Sequence, residues 1–317
     1  MTKNGFSMPA ATRRRLLPSV RDRDACAWGV DVGGTTTRVG VVAAGQVLAA
    51  ATLPTDQGRG PEDLVARIAA TAHGLGLSGA TAAGVGVPGL LDDDGCLHHA
   101  RHFPGWDGVP LRALVSTALG VPAVLVNDAE AAALGELHSG HHAGARRLLV
   151  LTVGTGLGVS LVHDGTVLGG AGGRMPFAPA EAGRYRLLED VLSATALLRE
   201  AALLPRFAGR PPLRCEELTT PDALTDPRVR LVWDAAGEAL GWACATVGQL
   251  FFADRIVVNG GVSGAGSLLL DPARAFFAAH AALLAQRCEV VVSRLGSDAA
   301  VVGAASAALA PAAMDAR

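Results

Sequence analysis

Hydrophobic and polar positions alternate in short bursts at two places along the chain. Residues 28–32, 38–42 and 46–52 are β-rich runs parted by Gly or Ala turns, a pattern that predicts an antiparallel meander. Residues 148–153, 159–162 and 166–168 repeat it. Gly33 and Gly154 head the two meanders 121 residues apart, so the chain reads as two related α/β halves with a cleft between them. Residues 64–75 place apolar side chains at helical spacing, and the unbroken apolar runs 82–87 and 123–126 predict buried strands. The first run ends at Pro88-Gly89 and the second at Asn127-Asp128, after which Ala, Leu and Glu over 129–137 signal a helix. Residues 205–212 read as a surface loop.

Four segments follow from this pattern. Residues 1–27 lack apolar periodicity and read as a disordered Arg-rich leader, 28–128 as an N-terminal α/β domain and 129–297 as a C-terminal one. The uncharged stretch 299–314 contains Pro311 and is too short to span a bilayer, so residues 298–317 are expected to form a terminal helix packed back on the N-terminal domain.

Composition narrows the chemistry. The 317 residues carry 27 basic and 29 acidic side chains, a balance of −2 that supplies no footprint for nucleic acid or for an anionic membrane surface. Lys3 is the only lysine. A Walker loop, a protein-kinase ATP site and a Schiff-base nucleophile all need a lysine inside the fold, so all three are excluded. The five cysteines are spread without paired spacing, which reads as reduced thiols in a cytoplasm. Arg13-Arg14-Arg15 imitates a twin-arginine signal, but Pro18 and the charged run 21–24 stand where its apolar segment should be.

Three glycine clusters carry candidate chemistry. Asp31-Val32-Gly33-Gly34-Thr35-Thr36 joins two strands, with paired glycines that let the backbone turn tightly and offer N–H groups and hydroxyls to an anion. Gly154-Thr155-Gly156-Leu157-Gly158 holds the matching position in the second half. Two such turns facing one another could grip a polyphosphate, although either alone would pass for an ordinary hairpin. The third cluster, Gly260-Gly261-Val262-Ser263-Gly264-Ala265-Gly266, follows an apolar run at 255–258 and suits close approach to a flat ligand such as a nucleoside.

Taken in order, the DxGGT turn, residues 84–89, Pro104-Gly105-Trp106, Val126-Asn127-Asp128, the GTGxG turn and the GGVSxAG cluster resemble the ROK family of bacterial sugar kinases and sugar-responsive repressors. The resemblance spans residues 28–308. It implies an actin-like ATPase (ribonuclease H-like) fold, ATP with Mg2+, a homodimer, and transfer of phosphoryl to a sugar hydroxyl, usually on C6. It also implies that Asp128 is the general base and that Asp31 orients the metal and its water. Gly33, Gly34, Thr35, Thr36, Thr155, Gly156, Gly260 and Gly261 would then hold the nucleotide. Read alone, Asp128 would cap a helix starting at Ala129, and Asp31 would brace its glycine turn.

The sugar side departs from the family pattern. His102 stands where the family has Asn, and Gly170-Ala171-Gly172-Gly173-Arg174 replaces Gly-Glu-x-Gly-His. The cysteine-rich zinc loop is missing, since no cysteine lies between Cys96 and Cys215, so no structural zinc is expected. Glu189 still matches a sugar-contacting carboxylate, which leaves His102, Asn127, Asp128, Arg174 and Glu189 as the acceptor residues. Those changes point to an acceptor altered from plain glucose, an amino-hexose such as kanosamine, with glucose and N-acetylhexosamines as alternatives. A sugar-sensing regulator is the alternative of another class. It would need a helix-turn-helix ahead of Trp28, which 27 residues containing Pro9 and Pro18 cannot supply.

Two further patterns read as decoys. Residues 84–89 satisfy GxGxxG, but Pro88 removes an amide that a dinucleotide site requires. His98, His99 and His102, and likewise His138, His141 and His142, lack neighbouring cysteines and read as solvated surface side chains.

Overall fold

The computed structural model describes residues 25–100, 103–139, 141–142, 145–170, 172–179, 183–212 and 214–310. The first meander is present as β1 (Cys26–Val32), β2 (Thr36–Ala43) and β3 (Gln46–Pro54). Helix α1 (Pro61–Gly74) starts with Pro at its first position, where no N–H is needed, and leads to β4 (Ala80–Val87). A small hairpin of β5 (Leu90–Leu91) and β6 (Leu97–His98) precedes α2 (Leu111–Leu119), β7 (Ala123–Asn127) and α3 (Asp128–His138). The second meander is β8 (Arg147–Val153), β9 (Leu157–His163) and β10 (Thr166–Gly170). Another hairpin, β11 (Pro176–Pro179) with β12 (Tyr185–Leu187), leads to α4 (Ala194–Ala202) and the long α5 (Pro227–Phe251). The chain continues through β13 (Arg255–Asn259), α6 (Ser267–His280), α7 (Ala282–Ala285), β14 (Glu289–Val292) and α8 (Ala299–Ala308).

The strands form two main sheets of identical plan. One runs β3-β2-β1-β4-β7 and the other β10-β9-β8-β13-β14, each with an antiparallel meander on one side and two added parallel strands on the other. Val30, Val39, Val85, Leu64, Ile68 and Trp106 centre the core of the first half. In the second half Trp233, Ala236, Leu240 and Cys244 of α5 pack beneath Leu149 and Ile256.

Helix α8 is apolar all round, which suits a helix buried on every side, and it lies between the first sheet and α3. Only glycine permits this approach. A Cβ on Gly84 would stand 1.7 Å from the Ala304 carbonyl oxygen, and one on Gly303 1.7 Å from that of Ala131. The GxGxxG residues of 84–89 are therefore packing glycines, and the segment beyond them enters β5 rather than a helix.

The histidine expectation needs correction. The His142 side chain is 5% exposed, and its Nε2 meets Oε2 of Glu136 at 2.9 Å, with Glu136 itself 0% exposed. His138 is half-buried and its Nδ1 lies 2.8 Å from the Leu134 carbonyl oxygen. A carboxylate inside α3 needs a partner, and the segment after the helix folds back to bring one.

Candidate active site

The first glycine turn is closed by the Gly33 N–H donating to the Thr36 carbonyl at 3.0 Å. Its carbonyls are held from behind. Thr55 Oγ1 donates to Gly33 O at 2.7 Å and lies 3.0 Å from Thr37 Oγ1, with both threonines fully buried, while Gln57 Nε2 donates to Gly34 O. Arg67 fixes this returning segment by donating to the carbonyls of Pro54 and Thr55.

The second turn has the same length and a similar brace. Gly154 N–H closes onto Gly156 O at 2.9 Å. The Ala194 N–H donates to Gly154 O at 2.8 Å and Thr195 Oγ1 to Thr155 O at 2.7 Å. Ser193 caps α4 by accepting from Ala196 N–H at 3.1 Å, and its hydroxyl donates to Glu189 O at 2.8 Å. The two turns meet: a Cβ on Gly34 would lie 3.8 Å from Cγ2 and 3.9 Å from Oγ1 of Thr155.

The third cluster lies against the end of β8. Gly260 has φ 88° and sits so close to β8 that a Cβ there would lie 2.4 Å from the Val153 carbonyl oxygen. Gly154, Gly261 and Gly264 look onto open space. Beyond the cluster, a groove of about 330 Å³ runs between α5 and α6, lined by Arg230, Asp234, Ser267 and Asp271 among others.

Two carboxylates come together at the edge of the first sheet. Asp31 lies at the end of β1 and Asp128 opens α3 directly after β7, its Cα 3.7 Å from where a Cβ on Gly86 would be. Burial, together with the negative charge of Asp128, pushes the Asp31 carboxyl up to about 7, with Arg38 acting in the opposite sense. Arg38 is the cross-strand partner of Asp31 and is itself held by Asp298, at 2.7 Å from Nε and 2.6 Å from Nη2.

Asp128 Oδ1 accepts from Ala129 N–H at 2.9 Å, as a capping carboxylate would, but the capping position itself lies one residue earlier. That role falls to Asn127, whose Oδ1 accepts from Ala129 N–H at 3.0 Å while its Nδ2 donates to Gly89 O at 3.1 Å. Asp128 is the first helical residue, where a carboxylate also gains from the helix dipole.

The acceptor residues are only partly assembled. Glu189 reaches the second turn, its Oε2 3.3 Å from where a Cβ on Gly156 would be. Arg174 is exposed and takes no ion pair among the described residues. His102 and Ala171 lie outside the described residues. Among the described residues, no three His, Cys, Asp or Glu side chains are grouped to hold a metal, and no helix is long and apolar enough to cross a membrane.

Sequence reasoning missed Thr55, Gln57 and Thr195. Thr55 and Gln57 follow β3 by only a few residues, but their bonds to the glycines depend on the chain returning across the sheet end.

The ROK family pattern matches residues 27–311. The chain belongs to the ROK family. A glucokinase of Thermotoga maritima is 34% identical over 304 residues, covering 88% of this ROK chain and 95% of that protein. One of Halalkalibacterium halodurans is 31% identical over 305 residues, covering 87% and 92%. A ROK family glucokinase from Streptomyces griseus, solved in complex with glucose and AMPPNP, superposes with a TM-score of 0.79 at 28% identity, covering 90% of this chain and 99% of that one. The fold is the actin-like ATPase fold in its ROK sugar-kinase form.

Proposed function

We propose that this ROK protein transfers the γ-phosphoryl of ATP to the 6-hydroxyl of a glucose-type hexose. The enzyme class is an ATP-dependent sugar kinase, in line with glucokinase relatives that match it over most of their length. The observation that carries the reading is the meeting of the two braced glycine turns beside the Asp31 and Asp128 carboxylates.

In this reading Asp128 accepts the hydroxyl proton as the phosphoryl group arrives, and the oxygen's freed electron pair bonds to phosphorus as ADP departs. The turns at Gly33 to Thr36 and at Thr155 and Gly156 hold the phosphates, and Gly260 and Gly261 face the nucleoside. The groove between α5 and α6 continues from that cluster. Oxygen donors are what Mg2+ favours, and the carboxylate pair fits it. Bound there with the nucleotide, the ion would supply neutralising charge on the phosphates while Asp31 orients its water.

Glucose is the proposed acceptor. The glucokinase relatives give no support to kanosamine, and Arg174, which stands where the family has His, is exposed. Glu189 and Asn127 complete the acceptor side together with Asp128. A cytoplasmic homodimer, in keeping with five free thiols, is part of the same proposal.

The test is a coupled assay of kcat/KM over glucose, kanosamine, glucosamine and N-acetylglucosamine with ATP and Mg2+. Glucose leading by about tenfold or more is expected. Kanosamine leading would replace the acceptor, and no ATP consumption with any of the four would remove the kinase assignment.

A further inference from the structure

Both glycine turns share a feature that their sequences do not. In each, two consecutive carbonyl oxygens are occupied from behind: Gly33 O and Gly34 O by Thr55 Oγ1 and Gln57 Nε2, Gly154 O and Thr155 O by Ala194 N–H and Thr195 Oγ1. In a planar trans peptide, the C=O of one residue and the N–H of the next point in opposite directions. Fixing those four carbonyls therefore fixes the N–H groups of Gly34, Thr35, Thr155 and Gly156 to point away from the braces. Among the described residues none of these four amides donates to a partner. The turns they belong to face each other, with Gly34 against Thr155.

We propose that Thr55 and Gln57 in one half, and Thr195 in the other, are positioning residues that aim four main-chain N–H groups at the phosphate chain of the nucleotide. The inference rests on the kinase reading above and adds residues to it. Successive amides pointing into one concavity are a strong anion site even without a lysine. There is no lysine among the described residues to supply that charge. Unbraced, a glycine-rich turn samples orientations in which its carbonyls face the phosphates and repel them. The braces remove those orientations before the nucleotide arrives, so their effect falls on nucleotide binding rather than on proton transfer at Asp128.

Thr195→Val removes one hydroxyl donor at an exposed position with its volume kept, and Gln57→Met removes the carboxamide at similar length. Each is expected to raise the KM for ATP by about three- to tenfold, the worth of one hydrogen bond. The kcat and the KM for the sugar should stay within about twofold. Calorimetric Kd values for a non-hydrolysable ATP analogue should weaken by the same factor, and Thr195→Ser should restore wild-type binding. An unchanged KM for ATP in both variants would overturn the proposal. So would a fall in Tm with kcat and both KM values moving together, since that marks a merely structural role. Wild-type protein that binds no adenine nucleotide overturns the kinase reading and this inference with it; variants that match a nucleotide-binding wild type overturn this inference alone.

Discussion

In the N-terminal half, β1 delivers Asp31 two residues before its glycine turn; at the equivalent place in the C-terminal half, β8 delivers Thr152. The strand following the next crossover ends in Asn127-Asp128 in one half and in Val292-Ser293 in the other. Strand order and turn length agree between the halves, so backbone geometry alone does not make the chemistry. The first half holds the negative charge, with Asp31 destabilised by its burial and by Asp128. The second half is neutral at the matching positions and presents glycines that look onto open space. Phosphoryl transfer needs both characters. A carboxylate must take the acceptor's proton, while the nucleotide's negative charge is met by main-chain amides.

That division can be broken most severely at Asp128. Asp128→Asn should lower kcat by about two to four orders of magnitude while nucleotide binding and the fold persist, the usual worth of a positioned base. Near wild-type turnover would show that the acidic half does not supply the base. The buried Glu136–His142 pair comes next in size. His142→Ala leaves Glu136 of α3 buried and unpaired, at an expected cost of about 3–5 kcal/mol in denaturant unfolding. A loss below about 1 kcal/mol would mean that the pair behaves as a surface contact does.

Packing between α3 and α8 gives a smaller effect. Gly303→Ala forces a methyl against the Ala131 carbonyl and should cost about 1–3 kcal/mol, measured the same way, as α8 is pushed off α3.

The most discriminating change is the paired one at Asp31 and Thr152. Asp31 is raised from 3.8 to about 7, so in the ligand-free protein the folded state holds this proton more tightly than the unfolded chain does. Its contribution to stability is complete below pH 3.8 and is lost as pH rises through about 7. Asp31→Asn should therefore raise Tm by several degrees at pH 8 and scarcely at pH 4. Thr152→Val removes a buried hydroxyl that has no partner among the described residues and should shift Tm slightly upward, equally at both pH values. Equal pH dependence in the two variants would erase the distinction between the halves.

Sequence pattern revealed the halves because β meanders leave a short-period signature and because glycines mark the turns. It was silent on α5, although Asp226-Pro227 forms its cap and first position and residues 229, 233, 236, 240 and 244 share its buried face. Eight of the eleven buried residues of α5 are Ala, Gly or Cys, whose small side chains blur helical periodicity. Nothing in the sequence marks Glu136 as buried, because charge on a helix is ordinarily solvated. Its burial comes from α3 being covered by α8 and by the loop bearing His142, contacts far apart in sequence or set by a turn. The Asp31 and Asp128 carboxylates and the glycine clusters were legible as motifs. The hydroxyls and carboxamide that orient the turns were not, since Thr and Gln occur everywhere and only the fold brings Thr55, Gln57 and Thr195 to the glycine carbonyls.

The central claim is that the two unlike halves together move phosphoryl from ATP to a sugar's 6-hydroxyl. Phosphorus and carbon NMR of a reaction containing the protein, ATP, Mg2+ and C6-labelled glucose tests it most directly. The account predicts ADP and glucose 6-phosphate in one-to-one ratio, with phosphorus coupling at the labelled carbon. Intact ATP and glucose, or phosphate attached at the anomeric carbon, would contradict it.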